Sequence, residues 1–345
     1  MKLLVVTQTV DIEDPVLGFF VRWVEELAKR VDYVQVICLR EGEHTLPENV
    51  RVHSLGKEKG VSHIKYIFNF YTCIWRLRHD YDTVFVHMNP EYIVLSGLLW
   101  RVWGKNVAFW YNHPKKNIRL SIASLFARKI FYTSPYAATA KIKKAKRMSA
   151  GIDTEVFKLQ PVVRNRQAIY IQGRIMPSKH IQIACESLRI IREIIPAATL
   201  TLVGPEDRSY GKELRKQFSD LIESGAVYFA GPKQNTETPS LFSYSGVSVN
   251  LAAYGHFDKS VLESMACETP VVLSSQAFSG LVPLEWIVPE NDPQALAETL
   301  IRLMQLSDSA YTVLGALERS EVIRTQSLSE LADSLMYELG ASMAS

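Results

Sequence analysis

Two stretches in the second half of this chain combine residue types that can hold a phosphorylated ligand bearing a sugar. The first is Gly-Arg-Ile-Met-Pro-Ser-Lys-His at 173–180, between the apolar run Ala168–Gln172 and an amphipathic stretch from His180 to Ile195. A strand-to-helix turn of this kind gathers free backbone N–H groups and the positive end of a helix dipole. Arg174 can grip a diphosphate with its planar fork and Lys179 can meet it as a point charge, unless both simply face solvent. The second stretch is Gly-His-Phe-Asp-Lys-Ser-Val-Leu-Glu-Ser-Met-Ala-Cys-Glu-Thr-Pro-Val-Val at 255–272. There a turn with Gly255, Asp258 and Lys259 leads into a helix expected from Ser260 to Cys267, with Glu263 in its first turn. The dipole favours an ionised carboxylate at that end, and such a group can accept two hydrogen bonds from a ribose diol. The competing reading is an ordinary carboxylate at a helix start. Asp80-Tyr81-Asp82 precedes a strand instead of ending one, so it reads as a turn and no metal ligand set is expected.

These residues need a scaffold that delivers loops to one edge. Leu3–Thr7, Val34–Leu39, Thr83–His87 and Val107–Tyr111 have the length and continuous apolar character of buried parallel strands. Helical spacing appears between them at Phe19–Val31 and Ile93–Trp103. A second series starts at Ala168–Gln172 and continues with strands at Thr199–Gly204, Val227–Gly231, Gly246–Leu251 and Pro270–Leu273. The polar, Pro-containing stretch 151–166 suits a linker and hinge, and 327–341 has the leucine spacing of a last helix. The expected fold class is therefore α/β, two Rossmann-like doubly wound parallel-sheet domains facing a cleft. The boundaries expected are 1–155 and 156–326, with the helix at 327–345 packing back on the first domain.

Composition agrees. A chain of 345 residues favours two domains, and 47% apolar with 22% charged residues excludes disorder. No apolar stretch nears the roughly 20 residues that span a bilayer. The opening MKLLVVTQTVDIED reads as a strand, not a signal peptide. Cys38, Cys73, Cys185 and Cys267 form no CxxC pair, which argues for a reducing, cytoplasmic setting without a zinc or disulfide framework. The net charge of +3 hides an asymmetry: residues 1–160 hold 24 Lys and Arg against 15 Asp and Glu, and the remainder 15 against 21.

Taken in order, Pro15–Gly18, Gly151-Ile152-Asp153, Gly173-Arg174 with Lys179, Val203-Gly204-Pro205, and Leu262-Glu263-Ser264-Met265-Ala266-Cys267 before Thr269-Pro270-Val271-Val272 resemble one family. It is the nucleotide-sugar-dependent glycosyltransferases of GT-B fold, in particular the retaining group called family 4. The resemblance runs along nearly the whole chain. It implies that Arg174 and Lys179 bind the donor diphosphate, that Glu263 holds the ribose, and that the turn Phe257, Asp258, Lys259, Ser260 offers N–H groups to phosphate and sugar. It also implies that Gly18 lets the first loop approach the phosphate, and that His113, in Trp110-Tyr111-Asn112-His113-Pro114, lies near the transferred sugar. A loop histidine capping local backbone is the alternative for His113; His87, at another strand end, reads as structural. Two departures stand out: Gly255 replaces a glutamate usual eight positions before Glu263, and Glu268 replaces a glycine usual before Thr-Pro. The implied enzyme is metal-independent and needs no cofactor, its nucleotide-diphosphate sugar being substrate. A nucleotide-sugar 2-epimerase and a non-catalytic nucleotide-sugar-binding protein are the rival readings.

Between Lys115 and Arg147 there are ten Lys or Arg and no acid. Ile118, Ile122, Leu125 and Phe126 share one helical face there, and that face is expected to pack on the first sheet. The cations of 115–147 remain available to an anionic membrane surface, which suits a peripheral enzyme with a saccharide or lipid-linked envelope acceptor. Nucleic acid is not expected, because no recognition helix or stacking platform accompanies the charge.

Overall fold

The computed structural model describes residues 1–14, 16–252 and 255–340, so Pro15 and the last residues of the C-terminal stretch lie outside it. The chain divides into two compact units: Met1–Gly151 completed by the helix that begins at Leu328, and Ile152–Ser327.

The first unit runs β1 (Lys2–Val10), α1 (Phe19–Ala28), β2 (Tyr33–Glu41), β3 (Val50–Ser54) and α2 (His63–Arg76). It continues with β4 (Thr83–His87), α3 (Pro90–Val102), β5 (Asn106–Trp110), α4 (Ile118–Phe126), β6 (Lys129–Tyr132) and β7 (Ala145–Arg147). All seven strands are parallel, in the order β3-β2-β1-β4-β5-β6-β7. Successive side chains of a strand point to opposite faces. Leu3 and Val5 therefore enter a core with Trp23, Val24 and Leu27, while Leu4 and Val6 enter another with Ile74, Trp100 and Leu120. A parallel sheet covered on both faces needs apolar residues at consecutive positions, and this is why the strand reads as one unbroken run.

The second unit runs β8 (Asn165–Gln172), α5 (Ile181–Ile194), β9 (Thr199–Val203), α6 (Arg208–Gln217), α7 (Ser219–Glu223) and β10 (Val227–Gly231). There follow α8 (Thr238–Tyr244), β11 (Ser245–Asn250), α9 (Lys259–Ala266), β12 (Val271–Leu273), α10 (Pro293–Met304) and α11 (Asp308–Gln326). Its five parallel strands are ordered β10-β9-β8-β11-β12. The final helix, α12 (Leu328–Leu339), buries Leu331, Leu335 and Leu339 in the α1 side of the first unit's core. No helix among the described residues is long and apolar enough to cross a membrane.

Three expectations change. The stretch 151–166 is not a free linker: the Gln160 N–H donates to Ser243 Oγ (3.0 Å), and Arg164 reaches Thr269 Oγ1, the Tyr311 hydroxyl (both 2.8 Å) and the Ser245 carbonyl (3.0 Å). A half-buried guanidinium with many donors needs such partners, and they fasten the segment to the second unit. The chain passes between units at two points joined to each other, where the Ile152 N–H donates to the Gln326 carbonyl (2.8 Å) and Ile152 bridges Ser327. The apolar face assigned to α4 is also different. Asn117 caps the helix through Leu120 N–H (2.8 Å), which sets its phase so that Leu120 and Ala123 point inward and Ile118 and Leu125 outward. Finally, part of the basic segment serves the fold. Lys129 and Lys146 both pair with Glu338 of α12, and Lys144 and Arg147 donate to the carbonyls of Ala127 and Thr133.

Candidate functional site

Open parallel sheets bind ligands at the carboxyl ends of strands, where the strand order reverses. In the second unit that point lies between β8 and β11. The loop leaving β8 carries Arg174 and Lys179, and the loop leaving β11 carries Phe257 and Asp258. Two glycines make this edge. Gly204 has φ +141°, and a Cβ there would sit 2.0 Å from the Gly173 carbonyl oxygen, so the turns after β8 and β9 meet without side chains. Gly255 has φ +85°, a left-handed conformation that disfavours a glutamate and accounts locally for the departure from the family pattern.

Asp258 is the centre of the constellation. Its carboxylate forms an ion pair with Lys179 and accepts from Asn250 Nδ2 (3.0 Å), the last residue of β11. Burial raises the Asp258 pKa, but Lys179 and the Asn250 amide more than offset this and hold it below the usual aspartate range. With its oxygens so engaged, Asp258 stands at the N-cap of α9 without a side-chain capping bond. The N-terminal end of α9, with the positive end of its dipole, is a position that suits an anion. Asn250 Nδ2 also lies 3.5 Å from Ser260 Oγ, and Phe257 stacks on Phe278 at 4.3 Å. Arg174 is exposed and has neither an ion pair nor a side-chain hydrogen bond among the described residues.

Glu263 corrects its expectation. The helix begins at Lys259, so Glu263 falls beyond the first turn, where the dipole contributes little. Its side chain is buried, and burial pushes the carboxyl well above the usual range and the Lys259 ammonium below its own; their mutual attraction opposes both shifts. Glu268 adopts φ +55°, as a residue just past a helix end does when glycine is absent. Arg319 faces it at 4.0 Å and also donates to the Ala266 carbonyl, so a cation answers both the carboxylate and the negative helix end.

In the first unit the order reverses between β1 and β4. His87 ends β4, buried and stacked on Phe20 at 4.3 Å, with Thr7 Oγ1 3.5 Å away. Met88 then takes φ +67°, rare for a residue with a side chain. Asn89 occupies the N-cap of α3 without capping it, and its buried Nδ2 has no hydrogen-bond partner among the described residues. Strain beside an unpartnered amide at a strand's carboxyl end makes this a candidate binding position that the sequence reading missed. The signal was the polar step His-Met-Asn-Pro straight after an apolar strand. His113 is exposed and its Nδ1 accepts from the Lys115 N–H (3.0 Å), which leaves the proton of the neutral ring on Nε2 as an outward donor. Gly18 is glycine for a local reason: a Cβ would sit 2.7 Å from the carbonyls of Ile12 and Asp14.

Residues 166–306 match the family model of glycosyl transferases group 1. The amylovoran biosynthesis glycosyltransferase AmsK of Erwinia amylovora is 29% identical over 190 residues, which are 50% of this chain and 45% of that protein, so the match spans less than half the relative's length. HepE of Anabaena, solved in complex with UDP and glucose, superposes with a TM-score of 0.77 at 17% identity, covering 99% of this chain and 100% of that one. Sucrose-phosphate synthase from Thermosynechococcus elongatus superposes at 0.71 with 19% identity and 98% coverage of both. These likenesses establish the fold, the two-unit parallel-sheet architecture of GT-B glycosyltransferases.

Proposed function

We propose that this protein is a retaining glycosyltransferase that moves a hexosyl group from a nucleotide-diphosphate sugar to a saccharide or lipid-linked acceptor of the cell envelope, at the cytoplasmic face and without a metal ion. The observation that carries the reading is the cluster at the β8/β11 edge of a unit matched to glycosyl transferases group 1: Arg174, the Lys179–Asp258–Asn250 chain, and the Lys259–Glu263 pair. In this reading the bond between the anomeric carbon and the diphosphate breaks, and a bond to the acceptor oxygen forms on the same face. The acceptor proton leaves with the departing phosphate. Charge develops on the diphosphate, which Arg174 and the positive end of the α9 dipole would meet; donors fixed beforehand stabilise it without reorganising. Lys179 completes that clamp while Asp258 holds it in place, and Asp258 can accept from a donor-sugar hydroxyl at the edge that Gly255 leaves open. Glu263 accepts from the ribose diol, which would favour its ionised form. His113 donates through Nε2 near the sugar. HepE, whose structure holds UDP and glucose, lends support to a uridine nucleotide as donor.

Calorimetry with UDP, GDP, ADP and their sugar conjugates tests this. One nucleotide is expected to bind, with affinity lowered by about tenfold or more in Arg174→Ala and in Glu263→Ala, while His113→Ala mainly lowers turnover. Equal nucleotide affinity in wild type and both binding-site variants would overturn the assignment.

A further inference from the structure

Helices α2, α3 and α4 lie side by side over one face of the first sheet. Phe70 and Ile74, Ile93 and Trp100, and Leu120 and Ala123 supply the inward stripe of each. Lateral contacts hold the layer together: the Tyr71 hydroxyl donates to the Leu95 carbonyl (2.8 Å), Trp75 packs edge-on to Trp103 (5.7 Å), and Arg119 of α4 pairs with Glu91 of α3 (2.7 Å).

A helix covering a soluble domain normally turns a polar face outward. These three do not. On α2 the outer residues Ile64, Phe68 and Trp75 follow helical spacing. Leu98 and Val102 do the same on α3, and Ile118 and Leu125 on α4. All seven are between 57% and 81% exposed. Scattered apolar residues are ordinary on a surface, but a second apolar stripe on each of three adjacent helices is a patch that marks an interaction. The charges on the layer have one sign. Its three helices contain a single acid, Glu91, already paired with Arg119, against Lys65, Arg76 and Arg101, with Lys115 and Lys116 just before α4. Arg78 lies over the exposed Trp75 ring at 4.8 Å, an aromatic and cationic pairing suited to a headgroup region.

We propose that the outer face of α2, α3 and α4 docks on an anionic lipid bilayer, with the apolar residues entering the headgroup boundary and the cations facing lipid phosphates. Opposite charge selects this occupant. A second copy of the same face would set cations against cations, and an uncharged surface would leave them without partners. The contact lies on α2 and α3 as much as on the basic segment 115–147, several of whose cations are bound within the fold. The proposal goes beyond the catalytic reading and involves no nucleotide, so either can fail alone.

The test is co-sedimentation of the purified full chain with vesicles of phosphatidylcholine alone and of phosphatidylcholine mixed with phosphatidylglycerol. Binding is expected to the mixed vesicles only and to weaken as salt is raised. The triple variant Phe68→Ser, Leu98→Ser, Leu125→Ser should lose about tenfold or more of that binding while keeping its thermal midpoint, since all three positions are exposed. Leu317→Ser, exposed on α11, should bind as wild type does. Quenching of tryptophan emission by bromine-labelled lipid should fall in Trp75→Phe. Absence of binding to mixed vesicles, or binding unchanged in the triple variant, would overturn the proposal. So would self-association abolished by the triple variant without any vesicle binding, which would assign the face to a second copy.

Discussion

Glu318 of α11 is enclosed in the second unit, and neither carboxyl oxygen makes a well-formed hydrogen bond among the described residues. Burial pushes its pKa well above the usual glutamate value, and a backbone interaction with Val271 pulls the other way. The sign of the consequence follows from linkage. In acid the carboxyl is protonated in both folded and unfolded chains and favours folding. As pH rises past the ordinary carboxylate range the unfolded chain ionises first, and stability falls until the pH passes the raised value. Glu318→Met should therefore flatten the loss of stability between pH 5 and 8 and leave the protein about 1–3 kcal/mol more stable at pH 8. Urea titrations at both values check this, and an equal loss at both would refute it. The same scale shows what a sequence hides about a site. Arg174, Lys179 and Glu263 were visible as residue types beside strands. The Lys179–Asp258 pair spans 79 positions, and Asn250 became a partner only when β11 placed it beside that carboxylate. Glu263 was legible as a candidate but not as a buried one, because burial depends on what packs against α9 and not on the residue's place along the helix.

Among the elements, legibility followed burial. Thr83–His87, buried at all five positions, was read to the residue, since a strand buried in a parallel sheet is an apolar run bounded by turns. The exception is Val227–Gly231, also read to the residue though it is an edge strand with only Val227 buried. The edge strand β3 alternates Val and polar residues over five positions and went unread; α2 also went unread. Strands β6 and β7 were lost inside the basic stretch. Turns carry a different kind of information. The loops after β8 and β9 touch at Gly204, where the Gly173 N–H also donates to the Val203 carbonyl (2.9 Å). Gly204→Ala should cost about 2–3 kcal/mol through a left-handed residue and a displaced turn, and should weaken nucleotide binding because that turn seats Arg174. A variant that melts and binds as wild type does would show that the two loops can part without effect.

At the scale of the whole molecule, the first unit is built from two separated stretches of chain. Leu331, Leu335 and Leu339 of α12 close the core that also holds Trp23 and Trp110, whose rings lie 5.2 Å apart. Leu335→Ala is expected to cost about 2–5 kcal/mol, read as a lower urea midpoint in tryptophan emission. An unchanged midpoint would mean that α12 rests on the unit without stabilising it. The division has a further consequence in the order of manufacture. The α1 face of the first unit leaves the ribosome early, yet the helix that covers it follows the entire second unit. At about 5–20 residues per second, making residues 152–327 takes on the order of 10–35 s, during which Leu27 and Trp23 have no lid. A stop codon after Ser327 would therefore injure the half of the protein that is synthesised first.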